Sequence, residues 1–155
     1  MKRFVWRLQR VLDIKVKEEQ AKKTELFELT EKLTQTRQKF LTQQRILNDM
    51  ISDISKKSPQ RRLADQELFL KHSTTIDQKI ALLKNQIGEL ESQQRKKIIE
   101  LLRVRQFKQG LERLRSEAKK QFIMEQEKIE QKNLDETATI SFTRKNHATL
   151  DRALN

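Results

Sequence analysis

Cysteine and tyrosine are absent, proline occurs once and glycine twice in the 155 residues. Without cysteine there is no disulfide framework, no thiolate metal site and no cysteine nucleophile. Turn-rich all-β and βαβ folds need glycine and proline at many connections, and Gly88, Gly110 and Pro59 cannot supply them. Long apolar runs are missing too. Nothing approaches the roughly 18 residues of a membrane span, and the basic start MKRFVWRLQR leads into no apolar signal-peptide run. The expected location is the cytoplasm. No GxxxxGKS/T phosphate loop, GxGxxG turn or HExxH pair occurs, and His72 and His147 stand alone. An elongated helical chain also has no cavity in which an acid–base pair could be desolvated. The expectation is a noncatalytic protein with no cofactor, metal site or small-molecule substrate.

Charge is plentiful: 36% of residues are charged, 34 of them basic and 22 acidic, for a net +12. The excess is localised. Residues 1–23 hold eight bases and three acids, and residues 92–120 hold ten and three, whereas 24–91 and 121–155 are nearly balanced. If the fold brings the two blocks together, they form one positive field able to steer an acidic partner.

The apolar residues are periodic. From Val5 a three-four spacing runs through Leu8, Leu12, Lys15, Glu19, Lys22, Leu26, Leu29, Leu33, Thr36, Phe40, Gln43, Leu47, Met50 and Ile54. Such a repeat with charged flanks predicts a coiled-coil helix, here over about residues 4–54. Residues 55–61, which hold Pro59, predict a turn. A second helix over about 62–134 carries Phe69, Ser73, Ile76, Ile80, Leu83, Ile87, Leu90 and Gln94. Leu101, Val104, Phe107, Leu111, Leu114 and Ala118 then follow after an expected phase slip. The fold class is all-α, a long antiparallel two-helix coiled-coil hairpin over residues 1–136 with an overhanging C-terminal helix. Residues 137–155 lack a period and are expected to form a flexible, disordered tail.

Matching polar interruptions suggests a register. Setting Leu33 opposite Leu83 and Leu26 opposite Leu90 also sets Glu19 opposite Lys97, Lys22 opposite Gln94 and Gln43 opposite Ser73. This register would place Lys2–Lys23 beside Arg95–Arg115 and merge the two basic blocks. It would leave the second helix unpaired beyond about Arg115, where Ala118, Phe122, Ile123 and Ile129 continue an apolar side suited to binding another protein. Nucleic acid is disfavoured as the partner, because Phe40, Phe69 and Phe107 fall in or beside the seam and leave no stacking platform on a basic face. Direct membrane contact by the segment MKRFVWRLQRVL is a weaker reading than helix-end packing.

The opening Phe4-Val5-Trp6-Arg7-Leu8-Gln9-Arg10-Val11-Leu12-Asp13-Ile14-Lys15, followed by Lys17-Glu18-Glu19, resembles the start of the flagellar export protein FliJ family. Glu130-Gln131-Lys132-Asn133-Leu134-Asp135-Glu136-Thr137-Ala138, with Arg144-Lys145 beyond, is similar to that family's closing motif. The resemblance spans residues 4–145. It implies a soluble stalk-like component of the bacterial flagellar type III export apparatus. Its implied partners are the hexameric export ATPase FliI, the cytoplasmic domain of the export-gate protein FlhA, and export chaperones. Association with the cytoplasmic face of the inner membrane would be peripheral, through those partners. The residues expected to meet the ATPase are Arg7, Arg10, Arg103, Arg105, Phe122, Ile129, Gln131, Lys132, Asp135 and Glu136; those expected at the gate are Phe69, Ser73, Ile76 and Ile80. A generic coiled-coil scaffold, the related stalk of a virulence type III secretion system and a basic nucleic-acid binder are the alternatives.

Overall fold

The computed structural model describes residues 2–154 except 57 and 58, so the centre of the expected turn, Lys57 and Ser58, lies outside the described residues. Two helices account for nearly everything else: α1, Gln9–Lys56, and α2, Pro59–Ala153. Pro59 opens α2, where its missing N–H costs no intrahelical bond. The described residues contain no strand. The chain divides into two compact units, Val16–Arg105 and Met1–Lys15 with Gln106–Asn155.

Within Val16–Arg105 the positions with the three-four spacing turn inward. Leu33 is 2% exposed, Ile76, Leu101 and Val104 are buried, and Leu26, Leu29, Phe40, Leu47, Leu83, Ile87 and Leu90 are half-buried. The cross-helix bonds give both direction and register. Glu19 meets Arg105, Lys22 meets Glu100, Glu25 meets Lys97, Thr30 meets Gln94 and Arg37 meets Glu91, so α2 partners fall as α1 positions rise. The two helices of this unit are antiparallel.

Their register is not the one that matched polar layers suggest. Lys97 pairs with Glu25 rather than facing Glu19, and Gln94 bonds Thr30 rather than facing Lys22. The pairing lies about seven residues, one heptad, further along. Because the helices repeat every seven residues, the apolar seam is satisfied at either setting. The polar seam residues are satisfied sideways by long flanking side chains. Glu19, 4% exposed, accepts from Arg105 Nε at 3.3 Å and faces Lys23 Nζ at 3.2 Å. Two cations on one buried carboxylate offset a desolvation cost that an unpaired charge would carry in full.

The expected phase slip in α2 is also absent. Gln94, Lys97 and Lys108 lie half-buried, whereas Phe107 and Leu114 are 52% and 51% exposed, so the three-four spacing continues unbroken from Gln94 through Lys97, Leu101, Val104 and Lys108 to Leu111. Lys108 supplies an apolar stem inward while its ammonium lies 4.0 Å from Glu112. The Phe107 ring finds the Lys15 ammonium 5.0 Å from its centroid.

Lys22, Glu25, Lys97 and Glu100 form a partly exposed network. Lys97 donates to Glu25 at 2.8 Å and to Glu100 at 3.4 Å, and Lys22 donates to Glu100 at 3.0 Å. The Lys97 hydrogen bond, then the Lys22 charge, hold the Glu25 carboxyl below its ordinary 4.5; the Lys22 hydrogen bond and charge do the same for Glu100. The bond to Glu25 lifts the Lys97 ammonium above 10.5 despite partial desolvation. The carboxylates therefore stabilise the fold above about pH 4.5, and this is lost as pH falls through their lowered values. The Lys97 contribution is present below about pH 10.5 and is lost as pH rises through its raised value. Thermal melts followed by circular dichroism should show both edges, each weakened by salt. A Glu25→Gln, Glu100→Gln double variant that retained the full acid-side loss of stability would contradict this assignment.

In the unit Met1–Lys15 with Gln106–Asn155, the helix expected from about residue 4 begins only at Gln9. Lys2–Trp6 is irregular, and the Gln9 N–H donates to the Trp6 carbonyl at 3.2 Å. Phe, Val and Trp are modest helix formers, and an aromatic contact competes with winding: the Phe4 ring lies 5.5 Å from that of Phe122. Phe122, expected to be unpaired, is thus half-buried beneath the segment before α1. At the other end α2 continues to Ala153 where an irregular tail was expected. Residues 127–154 are exposed throughout, so packing does not hold them. Along them Thr137, Thr139, Thr143 and Thr149 donate to carbonyls four residues back.

Candidate functional site: a basic and aromatic surface

The residues picked out by sequence fall into different environments. Arg7 and Arg10 are exposed in the unit Met1–Lys15 with Gln106–Asn155, Arg7 in the turn before α1 and Arg10 in its first turn. That unit does bring part of the two basic blocks together. Arg3, from the N-terminal block, and Arg115, from the second, line one depression with Phe4, Val5, Trp6 and Gln9. A neighbouring depression is formed where Lys2–Leu8 runs against Ala118, Gln121, Phe122 and Glu125. Among the described residues, Glu125 is the only acid on either lining. The surface thus combines guanidinium groups with two half-buried aromatic rings, Phe4 and Trp6. Chemically it suits an anionic surface with apolar side chains.

Arg103 is exposed on α2 in the unit Val16–Arg105, while Arg105 is half-buried against Glu19. Much of the Arg105 charge is therefore engaged within the fold. Ile129 is 50% exposed, and Gln131, Lys132, Asp135 and Glu136 are all exposed on α2. Asp135 and Glu136 edge a shallow depression with Thr139 and Ile140. The residues expected at the gate lie differently. Ile76 is 8% exposed, and Phe69, Ser73 and Ile80 are half-buried along the seam, with the Ser73 hydroxyl donating to the Leu70 carbonyl at 3.1 Å. The outward residues beside them are Leu68 and Leu70.

Sequence reasoning missed the Phe4–Phe122 contact and the Lys22–Glu25–Lys97–Glu100 network. The first had a signal: Phe4 and Trp6 alternate with Arg3, Val5 and Arg7, the period of an extended segment with one face covered. The second depends on a register that periodicity alone leaves open. Among the described residues no group of three or more His, Asp or Glu could hold a metal ion, and no helix is long and apolar enough to cross a membrane.

Comparison with known families gives one match: the model of the flagellar FliJ protein family matches residues 3–147. No curated protein and no solved structure matches the chain.

Proposed function

The chain belongs to the flagellar FliJ protein family, and we propose that it is a noncatalytic, stalk-like antiparallel coiled coil of the bacterial flagellar type III export apparatus. In this reading it docks on the hexameric export ATPase FliI, promotes ring assembly and ATP turnover, and links the ring to the cytoplasmic domain of FlhA and to export chaperones. It would work at the cytoplasmic face of the inner membrane. The observation that carries the proposal is the family match itself, which takes in both the opening and the closing motif. The depressions lined by Lys2, Arg3, Arg7 and Arg115 are compatible with it, since they offer cations beside the Phe4–Phe122 pair to an acidic ring surface.

Arg7, Arg10 and Arg103 are proposed as steering charges; Arg105 contributes partly through its pair with Glu19. Phe122 and Ile129 are proposed as apolar anchors, with Gln131, Lys132, Asp135 and Glu136 as polar contacts beyond them. For the gate, the placement of Ile76 favours a role for Phe69, Ser73, Ile76 and Ile80 in shaping the helix pair that presents Leu68 and Leu70.

The oligomeric state of the ATPase tests the reading. Adding the protein should shift the cognate export ATPase from smaller species to hexamers in sedimentation velocity. A nucleic-acid binder would leave the ATPase unchanged and retard labelled DNA or RNA with a steep salt dependence.

A further inference from the structure

We infer that the outward face of residues 2–14 is a docking site for an anionic lipid surface, a direct attachment separate from any made through protein partners. Residues 2–12 hold Lys2, Arg3, Arg7 and Arg10 and no acid. The irregular segment has two sides. Phe4 and Trp6 are half-buried, with the Phe4 ring on Phe122, while Arg3, Val5 and Arg7 between and beside them are exposed. Val5 is 81% exposed. Along the start of α1 the same interleaving continues, with Leu8, Val11 and Ile14 exposed at 40%, 36% and 57% and Arg10 exposed between them. A single exposed aliphatic residue needs no explanation. Four among four cations, on a segment held at the surface by an aromatic contact, form a face with cations for lipid phosphates and aliphatic groups for the acyl boundary.

The form of the face selects the occupant. A partner helix would need a continuous apolar stripe at helical spacing, seated in a groove. Here Val5 sits on irregular backbone and the aliphatic residues are interrupted by arginines. Single-stranded nucleic acid would need open aromatic faces for stacking, and Phe4 and Trp6 are half-buried. A bilayer interface is fluid and accommodates scattered aliphatic groups among cations. Charge complementarity then fixes the sign: the bilayer is anionic. Asp13, the one acid in this stretch, already accepts from Gln9 Nε2 at 3.0 Å.

Co-sedimentation of the full chain with two kinds of vesicle tests this. It should pellet with vesicles of equal parts phosphatidylcholine and phosphatidylglycerol, and remain in solution with phosphatidylcholine alone. Each cation near such a surface contributes about a fivefold factor in partitioning, so Arg3→Glu, a change of two charges, should weaken binding by roughly 25-fold. Val5→Asp and Ile14→Asp should each weaken it at least about fivefold through the added negative charge alone. Circular dichroism should be unchanged in both variants, since each side chain is more than half exposed. Ile14 lies outside the depressions proposed to face the ATPase, so Ile14→Asp should still drive ATPase hexamer formation, which separates this site from that one. Failure to pellet with anionic vesicles, equal pelleting with neutral ones, or full binding by both aspartate variants would overturn the inference. So would release from anionic vesicles by RNA at a lower concentration than by soluble phosphatidylglycerol.

Discussion

A double variant carrying Leu33→Cys and Leu90→Cys is expected to close an intramolecular disulfide almost completely under mild oxidation, whereas Leu33→Cys with Leu83→Cys is expected to stay reduced. The reasoning rests on the contacts on either side of Leu33. Thr30 bonds Gln94, and the Lys84 ammonium lies 6.0 Å from the centre of the Phe40 ring, so the position facing Leu33 falls close to Leu90. Leu83 is displaced along the helix by one heptad, about 10 Å, beyond the roughly 7 Å Cα separation that a disulfide tolerates. Leu33 is 2% exposed, so the pair forms in a closed seam rather than by collision between molecules. Preferential closure of the pair at 33 and 83 would restore the register of matched polar layers and remove the structural basis of the Lys97–Glu25 and Arg105–Glu19 pairs.

Reversing Arg7, Arg10 and Arg103 to glutamate should slow association with the export ATPase by about tenfold or more at low salt and flatten its salt dependence, with helicity unchanged. All three side chains are exposed. Arg105 is left out because its pair with Glu19 would mix a folding effect into the rate. Phe122→Ala and Ile129→Ala should act on the other half of the reaction. An aromatic anchor at an interface is typically worth about 2 kcal/mol or more, seen mainly as faster dissociation. Phe122→Ala should also release Phe4, at a cost of about 0.5–1.5 kcal/mol for the ring pair, so Phe4→Ala serves as its control. If Phe4→Ala alone reproduced the faster dissociation, the anchor would be the N-terminal segment rather than α2. If all three glutamate substitutions left the association rate unchanged, these arginines would have no steering role.

The inward positions were legible because the three-four spacing is a strong signal. Leu12, Leu33, Ile76, Leu101, Val104 and Leu111 were all named from it and all are buried. Register was not legible for the same reason, since a seven-residue repeat looks alike after a seven-residue shift. Matching Glu19 to Lys97 was physically sensible but assumed that polar seam groups face each other. Arg105, Lys23 and Glu25 have side chains long enough to satisfy them from the flanks. The slip expected after Gln94 is absent because lysine can fill a seam position: the half-buried stems of Lys97 and Lys108 carry the spacing on. For the candidate site, the cations and Phe122 could be read from composition and period. The Phe4 contact is signalled only by the alternation of Phe4 and Trp6 with Arg3, Val5 and Arg7, which the three-four spacing of Val5 and Leu8 overrides in a reading by helical period.

ATP turnover by the cognate export ATPase, titrated with this protein, tests the central claim most directly. A saturable rise in turnover is predicted, with no hydrolysis by the protein alone and with a smaller rise for the three-arginine variant. Turnover that stayed flat at concentrations where the protein remains folded and in excess over the ATPase would contradict a role in driving the export ring.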